Sequence, residues 1–213
     1  KAGTQTSRRR PVLAHAWGAT VLRIFGARVR VSGAERLKPG RSYVIVSNHL
    51  SLVDTPVLVR YLSVPFKFLA KRELLKVPFI GWYLRRNGHL TVDRGSVRSS
   101  LTSMNECARL IRERRLSVLI FAEGTRSLDG KLQAFKEGAA YLAIQSGAEL
   151  APVAIVGSGE ILPAKDSCFL PGEVELRIGE PIDVTGYTLK ERGELTRRAE
   201  ASVTSLLNEQ SDR

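Results

Sequence analysis

Hydrophobic residues recur along this chain with helical spacing in some segments and as short apolar runs in others. Residues 99–115 give the clearest helical pattern, because Leu101, Met104, Ala108 and Ile111 fall on one face. The same reasoning predicts helices at residues 11–29, 55–62, 99–115, 136–147 and 188–209. Short apolar or alternating runs predict strands or extended segments at residues 42–47, 67–70, 116–121, 150–156 and 174–178.

The predicted strands alternate with predicted helices, which is typical of an α/β fold. We therefore expect a central, mostly parallel or mixed sheet flanked by helices, with functional residues in loops at the ends of strands. Residues 42–213 are predicted to form this domain, and residues 1–41 are predicted to form a basic amphipathic segment that associates with a membrane. The helix in that segment carries Trp17 and Phe25 on its hydrophobic face, so it either packs on the core or lies on a membrane surface.

Positive charge is concentrated in the first half of the chain. Residues 1–115 carry 23 of the 33 Lys and Arg residues and six acidic residues, whereas residues 116–213 carry ten basic and fifteen acidic residues. The formal net charge of +12 therefore arises from the first half. Such a field predicts a polyanionic partner, and charge alone leaves open whether this is nucleic acid, an anionic lipid surface or a phosphorylated substrate.

No apolar stretch reaches the roughly 18 to 20 uncharged residues that a membrane-spanning helix needs. The longest candidates, residues 11–22 and 42–53, are each followed by a charged residue. Cys107 and Cys168 lie far apart without a histidine cluster near either, so neither a disulfide framework nor a zinc site is predicted. A reducing cytoplasm fits this cysteine usage.

A histidine and an aspartate follow the predicted strand at residues 42–47. They are His49 and Asp54, five positions apart. On one continuous helix their side chains would point about 140° away from each other, but a turn around His49 would let them meet. A carboxylate on one imidazole nitrogen fixes the tautomer and raises the basicity of the other, as a general base requires. The spacing alone also suits a chance pair or an aspartate that caps a helix.

A second candidate cluster follows the predicted strand at residues 116–121. It contains Glu123, Gly124, Thr125 and Arg126 in a turn. Gly124 permits close approach of a ligand to the backbone, while Thr125, Arg126 and the local amides can hold phosphate oxygens. The alternative is a surface turn with a solvated arginine.

Four short blocks occur in order along the chain. They are NHLSLVD at residues 48–54, GHLTVDR at 88–94, FAEGTR at 121–126 and APVA at 151–154. Together they resemble the glycerolipid acyltransferase family, typified by the 1-acylglycerol-3-phosphate acyltransferases. The match spans about residues 44–156, and its first and third blocks are the specific ones.

The resemblance implies that His49 removes the proton of an acceptor hydroxyl as that oxygen attacks a thioester, while Asp54 holds the imidazole. The acceptor oxygen is itself the nucleophile, so Ser51 is interpreted as a loop-shaping or capping residue. The resemblance also implies roles in binding the substrate phosphate or shaping its pocket for Lys71, Arg94, Glu123, Gly124, Thr125 and Arg126. His15 and His89 are not expected to be catalytic.

The resemblance further implies transfer of a fatty acyl group from acyl-CoA or acyl-ACP to the sn-2 hydroxyl of 1-acylglycerol-3-phosphate, giving phosphatidic acid. Glycerol-3-phosphate or a lyso-aminolipid stays open as the acceptor. No bound cofactor or metal is expected, because the acyl thioester is a cosubstrate. A nucleic-acid-binding module is disfavoured, since the cations flank Leu, Val and Phe stretches rather than aromatic platforms. The predicted location is the cytoplasmic face of an anionic membrane, as a peripheral or monotopic protein.

Overall fold

The computed structural model describes residues 12–78, 80–93, 95–163, 165 and 168–210. The helices are α1 (Val12–Ile24), α2 (Asp54–Tyr61), α3 (Ile80–Arg86), α4 (Val97–Arg114), α5 (Gly138–Ser146), α6 (Ser158–Ile161) and α7 (Arg192–Asn208). The strands are β1 (Ala27–Ser32), β2 (Tyr43–Ser47), β3 (Phe66–Lys71), β4 (Leu90–Val92), β5 (Ser117–Phe121), β6 (Glu149–Val156) and β7 (Gly172–Ile178).

Within the described ranges the strands form one sheet, in the order β1-β7-β6-β2-β5-β3-β4. All neighbouring pairs are parallel except β6 and β7. The five strands from β2 to β6 therefore point the same way, and their C-terminal ends lie along one side of the sheet, here called the carboxyl edge. This confirms the predicted α/β fold with a mixed sheet, and it places the loops after these strands side by side.

The sheet has a hydrophobic cluster on each face. In β2, Val44 and Val46 belong to one cluster and Ile45 to the other, so the strand is buried on both sides. Helices α4, α5 and α7 contribute to the first cluster, and α1 and α2 contribute to the second. The two layers of helices hold the strand ends in place from both faces.

The predicted helix at residues 99–115 is confirmed as α4, and its start follows from local capping. The Ser96 hydroxyl accepts the backbone N–H of Ser99, and the Ser99 hydroxyl accepts the backbone N–H of Ser96. Arg115 ends the helix with a left-handed backbone, at φ 51°. The predicted elements between residues 42 and 209 are likewise present, with ends that differ by up to four residues.

The predicted helix at residues 11–29 is wrong at its C-terminal end. Helix α1 ends at Ile24, Gly26 turns the chain with φ 63°, and β1 then pairs in parallel with β7. Strand β1 alternates arginine with valine, which is the period of a strand and not of a helix. The hydrophobic pattern also does not separate the short elements α3 and β4 from their surroundings.

Residues 1–41 were predicted as a segment apart from the main domain, and part of that segment belongs to the sheet through β1. Helix α1 packs on α2 and buries Gly18 and Leu22, while Trp17 remains 47% exposed. Residues 1–11 lie outside the described residues, and the membrane role of the segment stays a prediction. In the described part of the chain, no helix combines the length and the hydropathy needed to cross a bilayer.

Candidate active site

Four of the predicted site segments lie at the ends of neighbouring strands. Strands β2, β5, β3 and β4 are consecutive in the sheet and parallel. Just beyond or at their ends lie His49, residues 123–126, Lys71 and Asp93, in that order. The fold thus brings segments that are far apart in sequence to one carboxyl edge. Arg94, the predicted cation after β4, lies outside the described residues.

His49 and Asp54 form a hydrogen-bonded pair. His49 Nδ1 lies 2.8 Å from Asp54 Oδ2, and the Asp54 side chain is fully buried while 16% of the His49 side chain is exposed. The same oxygen accepts the backbone N–H groups of Leu50 at 2.8 Å and Ser51 at 2.9 Å. Because a carboxylate oxygen can only accept, Nδ1 carries the ring proton and Nε2 is the unprotonated nitrogen. The pair therefore has the arrangement of an oriented general base.

The imidazole of His49 is also fixed by the end of β5 and the loop that follows it. It stacks on the Phe121 ring, with centroids 3.8 Å apart and planes 11° from parallel. The His49 backbone N–H donates to Glu123 Oε1 at 2.7 Å, and the His49 carbonyl accepts the N–H of Ser127 at 2.9 Å. These contacts restrict the orientation of the ring.

Glu123 is a buried link between two loops. Its side chain is 2% exposed, and its second oxygen, Oε2, accepts the backbone N–H of Gln133 at 2.9 Å. Burial raises the pKa of Glu123, and the N–H groups of Gln133 and His49 oppose the rise. An acidic side chain with both oxygens engaged is not placed to bind a phosphate itself. Its contribution to the predicted pocket is to hold the surrounding backbone.

Two polar side chains tie the loop after β2 to the region around β6. The Asn48 amide donates to the Ile155 carbonyl and accepts the Ile155 N–H, both at 2.8 Å. The Ser51 hydroxyl is fully buried and donates to the Leu162 carbonyl at 2.7 Å. Ser51 therefore shapes the loop, and Asn48 has a structural role that its sequence position alone does not reveal.

The predicted phosphate ligands on β3 and after β5 have free polar groups. Lys71 and Thr125 are exposed, and Arg126 is partly buried. Within the described ranges, none of these three side chains forms a hydrogen bond or an ion pair. Gly124 has φ 81°, which a glycine adopts without strain. The turn can therefore present cations and backbone donors to an anionic group.

The structure adds Lys136, which the sequence patterns do not mark as a site residue. Its Nζ lies 2.7 Å from the point where a Cβ on residue 124 would be. The hydrophobic pattern places Lys136 in the predicted helix of residues 136–147, where a surface lysine is ordinary. Helix α5 begins at Gly138 instead, and Lys136 belongs to the preceding loop. The sequence signal for a fixed Lys136 is its position directly after Phe135, an apolar residue that the structure shows to be buried.

Among the described residues, no three His, Cys, Asp or Glu side chains are grouped so that they could hold a metal ion. Cys107 is buried, and desolvation, with a smaller effect of Glu106, raises the pKa of its thiol to about 11. Cys107 is therefore a thiol at neutral pH. Cys168 is exposed.

His89 lies between β3 and β4 and has a structural role. Its Nδ1 accepts the backbone N–H of Phe68 at 3.0 Å, so the proton of the neutral ring is on Nε2. That nitrogen is buried and has no hydrogen-bond partner in the part of the chain that the structure describes. Burial, and to a smaller extent the charge of Lys67, lower the pKa of His89 to about 4. His89 is therefore neutral at physiological pH.

Known proteins resemble this chain over the region that carries the site. A family model described as Acyltransferase matches residues 28–156. A 1-acyl-sn-glycerol-3-phosphate acyltransferase of Chlamydomonas reinhardtii is 38% identical over 151 residues, which are 70% of this chain and 45% of that protein. The human 1-acyl-sn-glycerol-3-phosphate acyltransferase alpha is 30% identical over 186 residues, which are 87% of this chain and 66% of that protein.

A solved structure extends the similarity to nearly the whole chain. It is the crystal structure of the 1-acyl-sn-glycerophosphate (LPA) acyltransferase PlsC from Thermotoga maritima. The TM-score is 0.80 at 31% sequence identity, covering 95% of this chain and 80% of that one. The curated relatives are longer, and this chain spans between 40% and 68% of their lengths.

The buried neutral state of His89 predicts a loss of stability in acid. The unfolded chain protonates this histidine near pH 6.5, whereas the folded chain does so only near pH 4. Between these values the unfolded state binds more protons, so the free energy of unfolding falls as the pH falls from 6.5 toward 4. In His89→Gln, we expect the decline between pH 7 and pH 5 to shrink by about 1 to 2 kcal/mol, measured by urea unfolding. An unchanged pH dependence would contradict the buried neutral state.

Proposed function

Because this chain belongs to the acyltransferase family, we propose that it transfers a fatty acyl group to the sn-2 hydroxyl of 1-acylglycerol-3-phosphate, giving phosphatidic acid. The donor is an acyl thioester, either acyl-CoA or acyl-ACP. The proposal rests on the 2.8 Å contact of His49 with Asp54, at the same sheet edge as Lys71 and Arg126. The names of the curated relatives support this choice of acceptor.

In the proposed reaction, His49 Nε2 takes the proton of the acceptor hydroxyl. The acceptor oxygen forms a bond to the thioester carbonyl carbon, giving a tetrahedral oxyanion, and the C–S bond then breaks. The proton on Nε2 passes to the departing thiolate, so the products are the new ester and a free thiol, and the imidazole is neutral again. Asp54 stabilises the transient imidazolium through its hydrogen bond to Nδ1.

The acceptor phosphate is proposed to lie on the turn after β5. Arg126 and Lys71 supply unpaired positive charge, while Thr125 and the amides around Gly124 supply further donors. Arg94, which follows β4 in the sequence and lies outside the described residues, is proposed as a third cation. A phosphate that binds several cations would hold the nearby hydroxyl in register with His49.

We propose that transfer is direct, without an acyl-enzyme intermediate. The Ser51 hydroxyl is buried and already donates to the Leu162 carbonyl. Cys107 is buried as a thiol with a raised pKa. Neither group is placed as an activated nucleophile, which supports the hydroxyl of the acceptor as the attacking group.

A panel of acceptors tests the proposed reaction. Purified protein is incubated with radiolabelled acyl-CoA or acyl-ACP and with 1-acylglycerol-3-phosphate, glycerol-3-phosphate or a lyso-aminolipid. We expect labelled phosphatidic acid to be the main product with at least one donor. Faster transfer to another acceptor would contradict the assigned substrate, and no transfer to any of them would contradict the function.

Removing the base should abolish turnover. His49→Ala lacks the proton acceptor and Asp54→Asn lacks the carboxylate that orients it, so we expect kcat to fall by about 10²- to 10⁴-fold or more. His15→Ala, which changes a histidine of α1, is the matched control and should stay active. Thermal unfolding of each variant checks that the fold is intact. Near-normal turnover by folded His49→Ala would rule out this mechanism.

The protein is further proposed to work at an anionic membrane surface on the cytoplasmic side. Exposed apolar side chains support this, with Leu13 at 85% and Ile24 at 64% on α1, and Ile80 at 47% and Trp82 at 62% on α3. In the sequence, the second group is flanked by the cations Lys71, Arg72, Lys76, Arg85 and Arg86. Apolar side chains bordered by cations suit a face that enters the headgroup layer shallowly.

Sedimentation with lipid vesicles tests the membrane contact. We expect binding to rise with the fraction of anionic lipid and to fall with added salt, because salt screens the attraction. Changing Ile80 and Trp82 together to serine should weaken binding. Leu101→Ser, at a residue of α4 that is 48% exposed, is the control. Equal binding to neutral and anionic vesicles at every salt concentration would exclude the electrostatic part.

A further inference from the structure

The side chain of Lys136 lies directly against the turn that follows β5. A Cβ placed on Gly124 would be 3.2 Å from both Cδ and Cε of Lys136 and 2.7 Å from its Nζ. Real Cβ atoms do not approach other atoms as closely as the last of these distances. The lysine therefore crosses the open face of Gly124, and any side chain at residue 124 would displace its ammonium group.

The backbone of Lys136 is held by the same loop that positions His49. Its N–H donates to the Ala122 carbonyl at 2.9 Å. The preceding residue, Phe135, is 8% exposed in the core, and its N–H donates to Glu200 Oε2 at 3.0 Å. Glu123 joins the His49 N–H to the Gln133 N–H through its two oxygens. The ammonium group therefore extends from a fixed backbone to the turn that contains Gly124 and Arg126.

The charge of Lys136 has no partner in the part of the chain that the structure describes. One acidic residue directly precedes Gly124 in the sequence and another directly follows Lys136, and both side chains are already engaged. Glu123 is buried with both oxygens accepting backbone N–H groups. Glu137 pairs with Arg192 at 2.7 Å. An exposed cation without a partner is available for an anionic ligand.

We propose that Lys136 binds the phosphate of the acceptor, together with Arg126 and the backbone of Gly124. This inference rests on the proposed function. In that acceptor, the phosphate is only a few covalent bonds from the hydroxyl that reaches His49, so its ligands must lie close to the His49 loop. The phosphates of a coenzyme donor are separated from the thioester by a long arm. Gly124 adopts a backbone conformation that favours glycine, and the absence of a side chain also leaves room for the Lys136 ammonium group.

Kinetics of Lys136→Met and Lys136→Arg test the proposal, with Lys131→Met as the control. Lys131 is an exposed lysine in the same loop. For Lys136→Met we expect the KM for 1-acylglycerol-3-phosphate to rise by about tenfold to a hundredfold, the loss expected for one charge-assisted hydrogen bond. Lys136→Arg should recover part of this loss. The KM for the donor should not change.

A phosphate-free acceptor separates binding from a structural effect. With 1-acylglycerol, we expect the unmodified protein to react slowly and Lys136→Met to lose far less activity than it loses with 1-acylglycerol-3-phosphate, because the missing interaction has no phosphate to act on. Equal losses with both acceptors, a raised donor KM in place of a raised acceptor KM, or kinetics like those of Lys131→Met would each overturn the proposal. If the unmodified protein does not acylate 1-acylglycerol-3-phosphate, the proposed function itself fails, which is a different result.

A double-mutant cycle of Gly124 and Lys136, read out as the acceptor KM, gives a second test. Gly124→Ala should raise the acceptor KM when Lys136 is present, because the added methyl group displaces the ammonium. In the Lys136→Met background, the same change should raise the acceptor KM little further. Urea unfolding of each variant accounts for the strain of alanine at φ 81°. Fully additive effects on the acceptor KM would show that Gly124 does not act through Lys136 and would overturn that part of the proposal.

Discussion

The site depends on how one buried oxygen of Asp54 is satisfied. It accepts three N–H groups, from the His49 ring and from the backbone of Leu50 and Ser51. A buried carboxylate without such donors would be destabilising by several kcal/mol, so the loop after β2 closes around it in one conformation. The same bonds set the tautomer of His49. One set of hydrogen bonds thus satisfies Oδ2 of a buried carboxylate and orients the base, while Asp54 Oδ1 has no hydrogen-bond partner among the described residues.

Buried polar side chains connect this loop to the neighbouring strands. Asn48 fixes it to Ile155 at the end of β6, and Glu123 fixes it to the two sides of the loop after β5. Parallel strands alone would bring the loops to one edge without fixing their relative positions. The amide and carboxylate links supply that precision, because each has two polar atoms that must be satisfied by particular backbone groups.

Cations that support the fold form ion pairs and hydrogen bonds, whereas those cations of the proposed site that the structure describes do not. Arg177 is 5% exposed, pairs with Glu175 and donates to the carbonyl of Leu206 near the end of α7. Arg126 and Lys136 lie in the acidic second half of the chain, yet within the described ranges neither has a partner. The difference in net charge between the two halves of the chain therefore indicates an anionic ligand, but it does not show which cations are free to bind that ligand.

The sequence by itself determined the features that depend on local chemistry. Contiguous residues specify three of these features. A motif marks the block that contains His49 and Asp54, a glycine marks the turn at residues 123–126, and capping serines mark the start of helix α4. The tertiary structure alone decided the rest. Strand β1 pairs with β7, about 145 residues away, a partner that its alternating pattern does not identify. Lys136 lies over Gly124 only because its loop is hydrogen-bonded to the residue after β5 and anchored in the core. Contacts between distant segments depend on the folded path of the backbone, which hydrophobic spacing does not specify.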